Sequence, residues 1–181
     1  MTDQIFFVRH ARPVVNLAES SYNWPLAPGA TDDLAPIVAE LSPVNVSKIR
    51  SSPENRALST ANFIAASSGR LVETLPDLCE HKRDSLSRPS SDREFFDLME
   101  RFFESPDQLV FGLETASEAC DRFTAAVREA LGDQPGDTII VGHGTVLSLL
   151  LGSISGRSRY EIWRRMKMPD LIKIPRESLS T

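Results

Sequence analysis

Short runs of β-branched and aromatic residues alternate along this chain with stretches whose apolar residues recur every three or four positions, and that alternation limits the fold more than any other feature. Ile5–Val8 is the first run and stops abruptly at Arg9 and His10. Val44–Ile49 and Leu71–Leu75 follow, and Thr138–Val141, ahead of Gly142, is the clearest. Asp170–Ile174, bounded by Pro169 and Pro175, reads as a last edge strand. Helical spacing fills Asp33–Leu41, Pro53–Ser67, Asp92–Glu104, Thr115–Leu131, Thr145–Ile154 and Tyr160–Met168. Ser52 before Pro53 predicts an N-cap with proline at the first helical position, and Thr115-Ala-Ser-Glu118 predicts a capping box. Together these predict a layered α/β fold, a three-layer sandwich whose central sheet is mostly parallel with helices on both faces, built as one domain over residues 1–181.

Composition removes several classes of function. With 181 residues and 41% hydrophobic content the chain can bury one ordinary core. Its 25 acidic residues against 20 basic ones give a net charge of −5, the wrong sign for a nucleic-acid binder. Residues 157–181 hold seven basic side chains against three acidic ones, a surplus of four that leaves the rest at −9 and reads as a solvated helix face. Cys79 and Cys120 form neither a disulfide framework nor a zinc-type spacing. The start, Met-Thr-Asp-Gln, has no basic and apolar leader pattern, and the longest apolar run, around Val146–Ile154, falls short of the ~20 residues that span a bilayer. The expectation is a cytoplasmic protein without membrane or nucleic-acid partners, and no heptad or apolar edge declares an oligomeric state.

The residues able to do chemistry gather at predicted strand ends. Of three histidines, His10 and His143 each follow a strong strand candidate, at the edge of an α/β sheet where ligands bind. Arg9 precedes His10, and Arg56 lies in the first turn of a helix, where a cation opposes the dipole by ~0.3 to 1 kcal/mol unless an anion joins it. A carboxylate such as Glu54 is the plain partner for Arg56, and phosphate the functional one. Gly142-His143-Gly144-Thr145 is a strand-to-helix turn that lets backbone approach a ligand, without the pattern of a nucleotide-binding loop. Ala11–Thr31 and His81–Ser91 are long connections of the kind that form lids or binding loops.

Five motifs in order then carry a resemblance. Arg9-His10, Ser52-Pro53 with Arg56-Ala57 and Thr60-Ala61, Leu78-x-Glu80, Glu114-Thr115 with Arg122, and Gly142-His143-Gly144 resemble the histidine phosphatase superfamily, the phosphoglycerate mutase-like group. The family's Arg-His-Gly-Glu opening is here Arg9-His10-Ala11-Arg12, so a base replaces the acid, and alanine replaces a glycine it can substitute for if φ stays negative. Asn16 sits where many members carry a phosphate-contacting asparagine, and the stretch from Glu80 to His143 is short beside that of true mutases.

What the resemblance implies is a metal-independent phosphomonoesterase of phosphoglycerate mutase-like fold, needing no cofactor. His10 would be the nucleophile that becomes a phosphohistidine, and Glu80 the general acid and then base, provided burial or substrate charge raises its pKa. Arg9, Arg56, Asn16, Gly144 and a protonated His143 would hold the phosphoryl group. Arg12 and Arg83, with Lys82 and Arg88 on the same long loops, could meet a second anionic group. His81 reads as an ordinary loop residue, Thr115, Glu118 and Arg122 as helix capping and packing, and Trp163, Met166 and Met168 as core. The substrate would be a phosphorylated small molecule or a phosphoprotein. The alternatives are a phosphoglycerate mutase-type phosphotransferase and a non-catalytic phosphate-binding module.

Overall fold

In β1 (Gln4–Arg9), Ile5 and Phe7 point to one face, Phe6 and Val8 to the other, and all four are buried. A strand apolar on both sides is stable only between two layers of helix, and the computed structural model, which describes residues 2–16, 18–83 and 91–179, has that arrangement. Phe6 and Val8 pack with Ile139 and Val141 against α1 (Ala35–Leu41) and α2 (Asn55–Ser68). Ile5 and Phe7 pack with Ile140 against α4 (Ala116–Leu131) and α5 (Gly144–Ser155). At about 1.5–3 kcal/mol for each fully buried large aliphatic or aromatic side chain, these two faces fix which way the strand lies.

Among the described residues the sheet has five strands in the order β3-β2-β4-β1-β5. β2 (Val46–Ser51), β3 (Val72–Thr74), β4 (Asp137–Gly142) and β1 run parallel, and β5 (Asp170–Pro175) closes the edge antiparallel to β1. The mixed, mostly parallel three-layer sheet is the architecture read from the alternation. A third cluster joins α3 (Asp92–Glu104), α6 (Arg159–Arg165) and the outer side of α4 and α5, with Phe102, Met99 and Leu149 fully buried and Trp163 ringed by Phe95, Phe103 and Tyr160. None of the described helices is long and apolar enough to cross a membrane.

Three helix boundaries differ from the sequence expectation by two residues or more, the first being α1, which begins at Ala35 rather than at Asp33. α2 begins at Asn55 rather than at Pro53, with Glu54 in the N-cap position and no side chain capping there. The Ser52 hydroxyl, predicted to cap, accepts from Glu54 N–H at 3.2 Å ahead of the helix and is also met by the buried His143 imidazole at 2.8 Å. α6 ends at Arg165, and Met166 is extended. The cause is long-range: Arg9 Nη1 donates to the carbonyls of Met166 and Lys167 at 2.8 and 3.3 Å, which turns this segment toward β1. The capping box at Thr115 and Glu118 is present, each side chain accepting from the other's backbone N–H.

The described parts of the Ala11–Thr31 connection are tied by their own backbone. Val14 and Ala27 donate to the carbonyls of Pro25 and Arg12, both at 2.8 Å, and Trp24 is buried beneath it.

Candidate active site

Register places the site. Arg9 stands opposite Gly142 and Ser51 opposite Val141, so β1, β4 and β2 end level, and the residues that follow each strand emerge side by side. His10 N–H donates to Gly142 O at 3.1 Å and Ser52 N–H to Val141 O at 3.0 Å, carrying the pairing one residue past the strands. The rings of His10 and His143 lie edge to face with centroids 5.1 Å apart.

His10 is held in one tautomer. Its Nδ1–H donates to the Ala11 carbonyl at 2.8 Å, which leaves the Nε2 lone pair facing Arg56, whose Nε–H reaches it at 3.0 Å. Ala11 is fixed in turn, because its N–H donates to Thr60 Oγ1 at 3.0 Å while the Thr60 hydroxyl donates to Arg56 O at 2.8 Å. Arg56 and Thr60, one helical turn apart, thus present one face of α2 to the site. No described non-glycine residue has positive φ, so alanine at position 11 costs nothing in backbone strain. Burial, then Arg56, push the His10 pKa down to about 3 against the opposing pull of the Ala11 carbonyl and Glu80. Its Nε2 is therefore an unprotonated base at neutral pH.

Arg56 bridges the two histidines. Its Nη2 donates to His143 Nδ1 at 3.1 Å and lies 2.7 Å from Glu54 Oε2, and its Nη1 donates to the Ser21 carbonyl of the long loop. Of the two partners weighed from sequence, the carboxylate Glu54 is engaged, and the same guanidinium also reaches both histidines. Since His143 Nδ1 accepts, its proton is on Nε2, which donates to Ser52 Oγ at 2.8 Å and lies 3.3 Å from Glu54 Oε1. Burial, then Arg56, His10, Arg83 and Arg9, hold His143 far below the ordinary histidine range. Burial, with the guanidinium groups of Arg56, Arg83 and Arg9 adding to it, keeps the ring neutral as the cluster stands; the expectation of a protonated His143 concerns the site with a phosphoryl group in it.

Glu80 faces the first turn of α5. Its Oε2 accepts from Thr145 N–H and its Oε1 from Val146 N–H, both at 3.2 Å, and Oε1 also accepts from His81 N–H at 2.8 Å. Burial raises its pKa, but Arg83, the His81 and Thr145 amides and Arg56 outweigh burial and leave it below the usual carboxylate range. Burial alone therefore does not make it an acid, and only negative charge brought into the site can. Arg83 stands 3.6 Å from Glu80 Oε2 and 3.3 Å from Thr145 Oγ1, with its guanidinium over the Phe111 ring. Arg9 lies against Gly144, where a Cβ would come within 2.9 Å of the guanidinium carbon; the glycine gives the arginine its place.

Other sequence candidates stand apart from this cluster. Asn16 is exposed and its side-chain oxygen accepts from Ala18 N–H, although its carbonyl accepts from the Trp24 indole, whose ring lies 5.9 Å from the Arg56 guanidinium. The Arg12 guanidinium is paired with Asp33 at 2.9 Å on the surface. Arg88 falls outside the described residues. His81 is buried between Phe102 and Phe111, its Nε2–H donating to Glu114 O.

Arg122 does more than pack. It pairs with Glu114 at 2.6 Å and donates to the carbonyls of Asp77, Cys79 and Glu80, while Glu114 accepts from Lys82 N–H, so this pair clamps the strip bearing Glu80. Removing one partner of such a largely buried pair costs on the order of 3–5 kcal/mol. The sequence signal was the Glu114-Thr115 motif with Arg122 that carries the family resemblance; Glu114 itself stands just ahead of α4. The functional contact that sequence reasoning passed over is Glu54 with His143 and with Glu80 N–H, the latter at 2.7 Å.

Chemically, the cluster offers an unprotonated imidazole nitrogen amid guanidinium groups, with a carboxylate beside them. Among the described residues no three His, Cys, Asp or Glu side chains are grouped to hold a metal ion. The buried histidines also set a stability profile. His10, His81 and His143 all have folded pKa values below the ordinary histidine value of about 6.5. A group of that kind contributes fully above its unfolded pKa, and its contribution is lost as pH falls toward the folded value. The lowered carboxyls Glu80 and Glu114 add a loss below about 4.3, while Glu54, raised by burial, works in the opposite sense. The melting temperature followed from pH 8 to pH 4 is expected to begin falling near pH 6.5; a flat profile down to pH 5 would contradict the buried neutral imidazoles.

Comparison with known proteins agrees with this geometry. The family model of the histidine phosphatase superfamily (branch 1) matches residues 5–174. Among solved structures, mycobacterial glucosyl-3-phosphoglycerate phosphatase superposes with a TM-score of 0.74 at 16% identity, covering 96% of this chain and 90% of that one. YhfR of Bacillus stearothermophilus gives 0.74 at 22% identity over 95% and 90% of the two chains. Phosphoserine phosphatase from Entamoeba histolytica gives 0.70 at 15% identity over 94% and 89%. No curated protein matches in sequence. With 170 of its 181 residues spanned by the family model, the chain belongs to the histidine phosphatase superfamily, in branch 1.

Proposed function

We propose that this member of a phosphatase superfamily is a metal-independent phosphomonoesterase that carries the phosphoryl group on His10 Nε2. The observation that carries the reading is the His10 tautomer: Nδ1–H is committed to the Ala11 carbonyl, so the other nitrogen presents a lone pair into a cluster of arginines. A phosphoryl oxygen entering between His10 and Arg56 takes over the Nε–H of Arg56 and leaves that lone pair aimed at phosphorus. Nε2 then forms the N–P bond as the bond from phosphorus to the ester oxygen breaks. Arg9, Arg56 and His143 neutralise charge on the transferring group, and Asn16 adds a neutral donor by turning in from its loop.

Glu80 supplies the proton that the leaving oxygen needs. The phosphoryl dianion beside it opposes the pull of Arg83 and the amides, raising its pKa toward that of a working acid. Once ionised, it takes a proton from the water that attacks the phosphohistidine, the N–P bond breaks, and phosphate and neutral His10 are restored.

The substrate in this reading is a phosphorylated small molecule. Arg83, part-exposed and 3.6 Å from Glu80, is placed to meet a second anionic group on the leaving-group side, with Arg12 further out. The names of two matched structures point the same way, since glucosyl-3-phosphoglycerate and phosphoserine each combine a phosphate with a carboxylate.

The test is phosphate release in excess EDTA from a panel that includes phosphorylated hydroxy acids, sugar phosphates and p-nitrophenyl phosphate. The wild type is expected to release phosphate, and His10→Ala to lose at least ~10³-fold of the rate. Activity that survives in His10→Ala would contradict the nucleophile, and phosphoryl transfer between phosphoglycerates outpacing release would favour a mutase.

Leaving groups test the acid separately. Glu80→Gln is expected to lose ~10²-fold or more on alkyl phosphates and far less on p-nitrophenyl phosphate, whose leaving group scarcely needs a proton. Equal losses on both would remove Glu80 from that role.

A further inference from the structure

Glu54 is a buried carboxylate that the proposed steps leave unused, yet it touches three parts of the machinery. Its Oε2 lies 2.7 Å from Arg56 Nη2, its Oε1 accepts from Glu80 N–H at 2.7 Å, and the same Oε1 is 3.3 Å from His143 Nε2. Its own N–H donates to Ser52 Oγ at 3.2 Å, the hydroxyl that also receives the Nε2–H of His143. Although burial raises its pKa, all of the contacts to its carboxylate come from donors, as the ionised form requires, and an apolar side chain would fill the same volume more cheaply. Its charge therefore calls for an explanation beyond packing.

The charged and titratable groups around His143 give one. From β1 come Arg9 and His10, from the start of α2 come Glu54 and Arg56, and from the strip after β3 come Glu80 and Arg83. The three arginines disfavour a second proton on the imidazole. Of the two carboxylates, Glu80 is turned onto the amides of α5, and only Glu54 is within reach of a ring nitrogen.

We infer that Glu54 is a positioning residue that fixes the Nε2–H tautomer of His143 and serves as its counter-ion, so that the ring gains a second proton, on Nδ1, when a phosphoryl dianion joins the cluster. The inference rests on the reading of the pocket as a phosphoryl-transfer site. The balance is simple: one proton moves from solvent, or from the monoanionic form of the ester, to Nδ1, and no bond between heavier atoms changes. Arg56 Nη2, which donates to Nδ1 as the cluster stands, turns that hydrogen to a phosphoryl oxygen. His143 then faces the phosphoryl group as a cation, with Glu54 on its far nitrogen, and Ser52 and Glu54 together keep the ring from turning.

The experiment is NMR of the full chain labelled with ¹⁵N-histidine, with and without saturating orthovanadate, in wild type, Glu54→Gln and Glu54→Asp. Glutamine keeps an oxygen for Glu80 N–H and removes the charge; aspartate keeps the charge. In the wild type, vanadate is expected to convert His143 from the neutral Nε2–H form to the doubly protonated one at pH 7. In Glu54→Gln it should stay neutral, its pKa lower by about one to three units. The alkaline limb of the kcat profile should move to lower pH by a similar amount, because activity needs the protonated ring, and kcat at pH 8 should fall tenfold or more. Glu54→Asp should recover part of both. An identical His143 protonation state in wild type and Glu54→Gln would overturn the inference. So would a wild-type His143 that stays neutral with vanadate bound, a result that stands even if Glu54→Gln does not fold. Phosphate release by the wild type, measured alongside, judges the phosphatase reading separately: its absence would fail that reading while the NMR comparison still decides on Glu54.

Discussion

A single buried guanidinium organises this molecule's chemistry. Arg56 donates to His10 Nε2 and to His143 Nδ1, pairs with Glu54, and reaches over to the carbonyl of Ser21. One cation therefore faces the unprotonated nitrogen of each imidazole, adds to burial in keeping both rings neutral, and reaches the long first loop. A buried arginine is tolerable only because every arm of its fork has a partner. Its planar donors also suit phosphate oxygens, so the contacts that stabilise the cluster are those a phosphoryl group can take over.

The sheet makes this possible. β4 lies between β1 and β2, and with the three strands ending level their following residues meet in a space one or two side chains across. The apolar interior on both faces fixes that register, because a slip by one residue would turn Ile5 and Phe7 toward the wrong helix layer. Small residues do the rest: Ala11 and Ala57 are fully buried, and Gly144 admits Arg9. Opposite them, Glu114 and Arg122 secure the strip that presents Glu80, so Glu80 and His10 are held from different layers of the same sandwich.

The strand ends were legible because apolar runs that break off at Arg9-His10 or Gly142-His143 have little other reading in an α/β chain. The ends of α2 and α6 were less so. Ser52 beside a helix start looks like a cap whether its hydroxyl meets a backbone N–H or a buried imidazole, and it meets both. Met166 and Met168 keep helical spacing past the point where Arg9, far away in sequence, claims the carbonyls of Met166 and Lys167. Protonation states were hidden for a different reason. They depend on burial and on the sum of three guanidinium groups and two carboxylates brought together by the fold, so the neutral His143 of this cluster could not be read from the sequence. Glu54 was read only as the partner of Arg56, which it is; its contacts with His143 and Glu80 N–H were hidden because nothing in the sequence shows that the pair is buried.

The claim on which the account turns is that His10 accepts the phosphoryl group. Rapid acid-free quench during turnover, followed by proteolysis and mass spectrometry, would look for a phosphoryl group on the peptide that contains His10. The account predicts an acid-labile, base-stable phosphopeptide that appears within the first turnover and is absent from His10→Ala. Turnover with no such peptide, or with the phosphoryl group on another residue, would contradict it.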